Sequence, residues 1–559
     1  MKPLAKPWIS SYNKGVPHTI SYPRTTLQAC LEATAARYPH HAAIIFMGKK
    51  ITYRGLLDSV NRFAASLQQL GISQGDKVAL FLPNSPQFVI AYYGVLKSGA
   101  TVVPANPLYV ERELLHLLKD SDTRTVITLD LKALFDKVFA VKHAAGLKHV
   151  IVSGLQEYLP SPQNILFPLL KRKEIASPIG NDVLRMRDLV TAKAPAGYSG
   201  PEVGHDHTAV ILYTGGTTGV PKGVCLTHDN LVANVLQCLY WVPGIRPGKE
   251  TFLTVLPIFH AFSMTTSMNL PIYAGGTMVL LPRFEVVRLL ESIDKRRPTL
   301  FMGVPAVFNS IIQRPDLKRH DLSSIRYCIS GGDTLPARVQ HEFEQMTGCK
   351  LVEGYGLTEA SPVVTCNPLL GKRKGIGLPL PDTICKVVDP DTGASVAPGQ
   401  DGELLIQGPQ VMRAYCEAPT ETANVLRDGW LYTGDIVRMD EDGYFEFVER
   451  KKDVIKVSAT DYVTAYKVYP SEVEETLLKH GEVREAAVVG IPDPLQGERV
   501  VAHVVLRPGA SVTADELIGY CRRELAQYKV PSRIEFVNVL SKNALGKVKR
   551  KESRHKALA

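Results

Sequence analysis

The chain has 559 residues, 45% of them apolar and 21% charged, and its nine cysteines form no Cys-x-x-Cys pair. This composition excludes disordered, collagen-like and coiled-coil chains, and the length calls for two or more domains. The formal charge of +10 is modest over such a length and does not point to nucleic acid.

An odd, dispersed cysteine set argues against a disulfide framework or a structural zinc site and favours a reducing compartment. The N-terminal stretch lacks the apolar core and cleavage pattern of a secretory leader, so a cytoplasmic chain is expected. From residue 40 to about 380, short apolar runs alternate with amphipathic stretches. The runs fall at 77–82, 101–107, 124–130, 149–154, 208–216, 276–282 and 350–356, with a helix expected at 86–99. Continuous apolar runs between helices predict parallel strands buried on both faces. Residues 155–205 read as a variable excursion. The stretch 251–282 carries no Asp, Glu, Lys or Arg, but Pro257, Pro271 and Gly275-Gly276 interrupt it. It therefore reads as a buried strand–helix–strand passage and not as a membrane span.

From 386 to 450, short alternating segments joined by Gly- and Asp-rich turns predict a β-rich subdomain. Beyond the charge cluster at 449–453, helices at 471–480 and 513–526 and strands near 484–490, 500–506 and 533–539 are expected. The predicted class is α/β: an N-terminal domain (1–449) of parallel or mixed sheets flanked by helices, including the β-rich subdomain at about 386–449. A small α+β domain (450–559) follows. Lys542, Lys547, Lys549, Arg550, Lys551, Arg554 and Lys556 crowd the C-terminus. Most of them read as a solvated tail, with attraction to phosphates or to an anionic membrane as the lesser alternative.

Four motifs carry chemistry. Tyr213-Thr214-Gly215-Gly216-Thr217-Thr218-Gly219-Val220-Pro221-Lys222-Gly223 follows an apolar run and precedes an expected helix at 228–239. Its glycines let backbone N–H groups converge on an anion, its threonines add donors and Lys222 adds a charge, which suits polyphosphate. It is not a Walker A loop, because no Gly-Lys-Ser/Thr closes it. In Glu353-Gly354-Tyr355-Gly356-Leu357-Thr358-Glu359, glycines flank an aromatic ring that could lie against a base, and Glu359 offers a carboxylate to a hard cation. Trp430-Leu431-Tyr432-Thr433-Gly434-Asp435 sets a carboxylate on a turn, able to accept from a ribose diol or to cap the turn. Asn543-Ala544-Leu545-Gly546-Lys547 places a lysine beside a glycine; in isolation it reads as surface charge.

In this order and spacing the four motifs resemble the acyl-adenylate-forming superfamily, over about residues 25–552. The run Asp428–Asp435, continued by Asp442–Asp453, looks like the signature of fatty acyl-CoA synthetases, and 106–113 is similar to the bacterial long-chain members. The resemblance implies ATP, Mg²⁺ and coenzyme A as cofactors and a fatty acid as substrate. It implies that Thr214, Gly215, Gly216, Thr217, Thr218, Gly219 and Lys222 hold the β- and γ-phosphates, with Thr358 on the α-phosphate and Glu359 on Mg²⁺. Tyr355, between Gly354 and Gly356, would lie on adenine, lined by Gly331, Gly332 and Asp333. Asp435 and Arg450 would fix the ribose, and Lys547 would act between carboxylate and α-phosphate. His260 matches a position beside the acyl pocket, which Phe262, Met264, Met268 and the stretch 301–305 could wall. A hinge at 449–454 would pivot at Lys452.

Two features depart from the family pattern. The turn 459–467 is longer than usual, and no glycine lies between Gly443 and Gly481. A Cβ at each position could narrow a pantetheine channel. Ala414-Tyr415-Cys416 stands where the family usually shows Gly-Tyr-Trp. Three readings stay open: a fatty acyl-CoA ligase, an acyl-AMP ligase serving a carrier protein or another nucleophile, and a silent acyl- or nucleotide-binding paralogue. The cytoplasmic setting leaves the inner face of the membrane open as a peripheral contact.

Overall fold

The apolar runs form the strands of two large sheets. The structure is a computed structural model that describes residues 6–177, 183–194, 198–214, 221–458, 465–493, 497–542 and 548–558. The chain divides into two compact units, 1–385 with 406–431, and 386–405 with 432–559.

In the first unit, among the described residues, an eight-stranded sheet runs in the order Ala414–Tyr415, Lys222–Thr227, Thr208–Thr214, Thr101–Pro104, Lys77–Phe81, Thr125–Leu129, His149–Ser153 and Val183–Arg185. A nine-stranded sheet starts with Leu378–Pro379, Val363–Cys366, Lys350–Gly356, Tyr327–Ser330 and Leu300–Gly303. It continues through Thr251–Thr254, Thr277–Leu280, Ala42–Phe46 and Lys49–Thr52. The central pairs of both are parallel, as continuous Val/Ile/Leu runs require when helices cover each face. The helix Pro86–Lys97 is buried along its whole length, as a helix apolar on all sides must be. Pro86 opens it, and Ser85 caps it by accepting from the Phe88 N–H.

The uncharged stretch is the expected buried passage: a strand at Thr251–Thr254, helical turns through 261–274 including a wide turn at Met264–Asn269, and a strand at Thr277–Leu280. Among the described residues, no helix is long and apolar enough to cross a membrane. The phosphate-loop motif follows the strand Thr208–Thr214 and precedes the helix His228–Trp241, as expected; between them Lys222–Thr227 forms a further strand, antiparallel to Thr208–Thr214. The run Lys222-Gly-Val-Cys-Leu-Thr227 alternates well enough to pair, and its partner strand supplies the missing hydrogen bonds. The nine cysteines are free thiols; Cys225 and Cys416 are half-buried and the other seven buried.

In the second unit, a sheet of Ala465–Val468, Ile455–Ser458, Gly497–Leu506 and Val483–Asp493 takes Arg533–Phe536 beside Gly497–Leu506. The helices Pro470–Lys479 and Ala514–Glu524 contribute Val473, Leu477, Leu517 and Cys521 to one core with Val488 and Val504. The β-rich segment between 386 and 449 falls largely in this unit. The basic C-terminus is not a solvated tail. It forms the helix Arg550–Leu558, and ion pairs link Lys542 to Glu485 at 2.7 Å, Arg550 to Glu474 at 2.6 Å and Arg554 to Glu498 at 2.9 Å.

Candidate active site

The antiparallel pairing sets Thr214 opposite Lys222, so the two ends of the phosphate-loop motif are held side by side. Tyr213 anchors the first end: its hydroxyl donates to Asp120 Oδ2 at 2.6 Å. Burial, then the Asp120 carboxylate, raises this phenol above its ordinary range. The second end is held by His116 Nε2, which donates to the Pro221 carbonyl at 3.2 Å. Gly215, Gly216, Thr217, Thr218 and Gly219 lie outside the described residues.

Gly223 is needed where it stands. A Cβ there would lie 2.8 Å from Ile211 Cγ2 and 3.1 Å from Cys416 Cβ. Its absence lets the short strand Ala414–Tyr415 pair against Val224 and Cys225. This register carries Tyr415 into the site. The Lys222 ammonium lies 5.3 Å from the Tyr415 ring centroid, and the Tyr415 hydroxyl donates to Glu359 Oε1 at 2.8 Å. The backbone N–H of Met412 also donates to the Glu359 carbonyl at 2.7 Å. Lys222 and Glu359, both predicted site residues, are thus brought together by a tyrosine whose part sequence reasoning missed. The only sequence signal was the departure at 414–416.

Glu359 sits in the turn Thr358–Ala360, directly after the strand Lys350–Gly356. Ser361 is left-handed (φ 69°) and reverses the chain, so that the Leu357 N–H donates to the Pro362 carbonyl at 3.0 Å. Gly356 makes this possible, because a Cβ there would fall 2.1 Å from the Pro362 oxygen. A buried polar network fixes the reversal: Thr265 Oγ1 donates to the Ser361 carbonyl at 2.6 Å, and Ser361 Oγ to the Gln410 carbonyl at 2.8 Å. Asn234 closes it, exchanging two hydrogen bonds with the backbone of Val363 at 2.8 and 2.9 Å.

Tyr355 and Gly354 pair with Thr365 and Cys366, leaving the Tyr355 ring half-exposed. The neighbouring strand ends at Ser330 in Gly331, Gly332 (φ 80°) and Asp333. The Cβ position of Gly331 lies 3.1 Å from the Phe262 ring and 3.5 Å from the Gly354 carbonyl. The predicted adenine-lining residues are therefore neighbours. Glu353 ties them, since its carboxylate accepts from the Leu335 N–H; burial, reinforced by Asp333, pushes this acid up to about 8. His260 caps the helical passage that begins at Ala261, its Nδ1 accepting from the Phe262 N–H at 3.4 Å. Burial lowers its pKa to about 4, so the ring is neutral at pH 7. Met264, Met268 and Phe301 are fully buried.

In the second unit, Asp435 and Arg450 are cross-strand partners, with Arg450 Nη1 2.7 Å from Asp435 Oδ1. Thr433 Oγ1 accepts from the Asp435 N–H at 3.1 Å and donates to the Leu404 carbonyl at 2.8 Å. Lys452 is exposed in the turn between the strands Phe445–Arg450 and Ile455–Ser458. Lys547 lies outside the described residues, as do 459–464. The segment holding Lys547 is bracketed by the bridge between Lys542 and Val548. Just beyond it, the Arg550 guanidinium reaches Glu449 and Glu474, each at 2.6 Å.

On this α/β scaffold the hairpin sets Thr214 beside Lys222, and one ring links Lys222 to the Glu359 carboxylate. Residues 31–416 match the profile of the AMP-binding enzymes, and residues 472–547 match that of the AMP-binding enzyme C-terminal domain. The chain belongs to the AMP-binding enzyme family. It is 43% identical to a long-chain-fatty-acid–CoA ligase of Bacillus subtilis (strain 168), covering 98% of this chain and 97% of that one. It is 39% identical to a ligase of the same description from Yersinia pestis, covering 99% and 98%. Among solved structures, ATP-bound MatB from Rhodopseudomonas palustris superposes with a TM-score of 0.83 at 29% identity, covering 96% of this chain and 99% of that one.

Proposed function

We propose that the chain is an AMP-forming long-chain fatty acid–CoA ligase. A fatty carboxylate oxygen attacks the α-phosphorus of ATP and the bond to the bridging oxygen breaks, giving acyl-AMP and pyrophosphate. The thiol of coenzyme A then attacks the acyl carbon; AMP leaves and the thiol proton is lost to solvent. The observation that carries this reading is the full-length similarity to long-chain-fatty-acid–CoA ligases, 43% over 551 residues. It favours coenzyme A over a carrier protein as acceptor, and a working enzyme over a silent paralogue.

Both reactants of the first step are anions, so the protein's task is electrostatic: to place cations and N–H donors where charge develops on phosphorus. Thr214, the loop 215–219 and Lys222 are assigned to the β- and γ-phosphates, and Thr358 to the α-phosphate. Gly332, Asp333, Gly354, Tyr355 and Gly356 are assigned to adenine, Asp435 and Arg450 to the ribose. Lys547 is assigned to the attacking carboxylate and the α-phosphate. His260, neutral at pH 7, adds no charge beside an acyl chain.

The donor set fits Mg²⁺. One carboxylate, Glu359, accepts from the tyrosine whose ring lies against Lys222, and this ion is commonly held by one or two carboxylates together with substrate phosphates and water. Among the described residues, no cluster of three or more His, Cys, Asp or Glu forms a dedicated cage. When bound, the ion neutralises charge on phosphate oxygens; Glu359, oriented by Tyr415, is the residue that would hold it.

Lys452 is assigned as the pivot of a hinge at 449–454 between the two half-reactions. The setting is cytoplasmic, in keeping with nine free thiols, with peripheral contact at the inner face of the membrane. Incubating the protein with ATP, Mg²⁺ and fatty acids of graded length, with and without coenzyme A, tests the reading. Long-chain acyl-CoA and pyrophosphate are expected only in the complete mixture at steady state. Acyl-AMP that accumulates unchanged when coenzyme A is present would overturn the second step.

A further inference from the structure

The helix Gln163–Leu170 turns its apolar side outward. Ile165 is 63% exposed, Leu166 46%, Leu169 70% and Leu170 78%, whereas Phe167 and Pro168 are half-buried. At about 100° per residue the four exposed apolar side chains fall in one arc of about 140°. A helix resting on a globular core shows water the opposite face. This one has a second apolar surface that nothing among the described residues of its own unit covers.

The charge around it has one dominant sign. No acidic residue occurs between Glu157 and Glu174, and the helix is followed by exposed Lys171, Arg172 and Lys173. Lys171 pairs with Glu174 at 2.7 Å. Glu157 accepts from Ser153 Oγ at 2.9 Å and from the Gly154 N–H at 3.1 Å. At the other end, Lys49 Nζ donates to the Glu157 carbonyl at 2.8 Å and lies 5.5 Å from the Tyr158 ring centroid. Exposed Arg296 also approaches this turn. The Cβ position of Gly48 is 3.8 Å from Pro160 Cγ and 3.9 Å from an Arg296 terminal nitrogen. Basic side chains thus flank a short apolar helix at both ends.

We propose that this helix docks the enzyme on an anionic phospholipid bilayer. Ile165, Leu166, Leu169 and Leu170 enter the acyl boundary, while Lys171, Arg172 and Lys173 meet headgroup phosphates. An apolar face rimmed by Lys and Arg is the pattern of helices that lie in the membrane interface, and each basic residue near an anionic leaflet adds attraction. A second copy of the chain fits worse, because self-pairing would set two basic clusters against each other. The proposal rests on the reading of the chain as a long-chain acid ligase, whose substrate partitions into bilayers, but it concerns a surface assigned no part in the chemistry.

Vesicle sedimentation tests it with the full-length protein and without ATP or coenzyme A. The wild type is expected to pellet at least about tenfold more with vesicles containing about 20% phosphatidylglycerol than with phosphatidylcholine alone, and less at high salt. The quadruple variant Ile165→Ser, Leu166→Ser, Leu169→Ser, Leu170→Ser and the double variant Arg172→Glu, Lys173→Glu are each expected to lose this binding about tenfold. Turnover of a water-soluble medium-chain acid should stay unchanged in both. Wild type that remains in the supernatant, or variants that sediment as it does, overturn the proposal. So does a wild-type dimer that the serine variant converts to monomer without loss of vesicle binding. Failure of turnover with vesicle binding intact counts against the ligase reading alone.

Discussion

The hydroxyl of Tyr415 donates to Glu359 Oε1 at 2.8 Å while the same ring faces the Lys222 ammonium at 5.3 Å. One side chain therefore orients both the carboxylate assigned to Mg²⁺ and the lysine assigned to phosphate. A hydrogen bond to a charged group is worth about 1.5–3 kcal/mol. Tyr415→Phe keeps the ring and removes that bond. The expected result is a fall of about tenfold in kcat/KM for ATP at limiting Mg²⁺, largely restored at saturating Mg²⁺. Pyrophosphate release across a Mg²⁺ titration measures it. A defect independent of Mg²⁺ concentration contradicts this role.

Glu353 gives a pH signature. Burial raises its carboxyl to about 8 from an ordinary 4.5, so the native chain keeps a proton that the unfolded chain releases. Where the native state binds more protons, stability falls as pH rises. The loss runs from about 4.5 to about 8, the two values between which the states differ. Glu353→Gln removes the titration. Its advantage over wild type should be absent near the lower limit and grow to about 2–4 kcal/mol at the upper one. Urea denaturation at graded pH checks this, and parallel curves for the two proteins count against it.

Arg550 holds two carboxylates at 2.6 Å, Glu449 and Glu474, and Glu449 is 1% exposed. Removing one partner of a buried ion cluster leaves uncompensated charge, typically at about 3–5 kcal/mol. Arg550→Met is expected to destabilise the second unit by that amount. Adding Glu474→Gln should recover part of the loss. Thermal unfolding of the single and double variants reads the coupling; additive losses would contradict a shared cluster.

Lys547→Ala is expected to lower acyl-AMP formation by about 10²–10³ while ATP binding stays within a few fold, since a donor aimed at developing charge acts mainly in the transition state. Calorimetric ATP titration beside pyrophosphate release separates the two. Unchanged pyrophosphate release refutes the assignment.

Lys452→Pro fixes φ at a position assigned to a backbone rotation. Acyl-AMP formation should persist while transfer to coenzyme A falls by an order of magnitude or more. Equal loss of both half-reactions rules out a pivot there.

Much of the scaffold was legible because continuous apolar runs bounded by turns leave a buried parallel strand few alternatives. The strands at Lys77–Phe81, Thr125–Leu129 and His149–Ser153 lie where such runs stand. The hairpin strand Lys222–Thr227 was missed because its pairing is fixed by Thr208–Thr214 and by Ala414–Tyr415, nearly two hundred residues on. Tyr415 was noticed only as an irregularity for the same reason. Its partner Glu359 is set by the left-handed turn at Ser361 and by Asn234 holding Val363 at 2.8 Å, contacts that carry no local signature. The basic C-terminus misled because charge density alone reads as solvated, whereas Arg550, Arg554 and Lys542 each find a carboxylate in the fold. The helix Gln163–Leu170 falls within the stretch 155–205, read only as a variable excursion, and the direction its apolar side chains face is decided by its neighbours.

The most direct measurement follows oxygen. With a long-chain acid labelled with ¹⁸O in both carboxylate oxygens, ATP, Mg²⁺ and coenzyme A, attack of the carboxylate on the α-phosphorus carries one label into AMP. Mass spectrometry should find singly labelled AMP in amounts equal to acyl-CoA, with unlabelled pyrophosphate. Unlabelled AMP, or label in orthophosphate together with ADP, would show that the acid is activated by another route, or not at all.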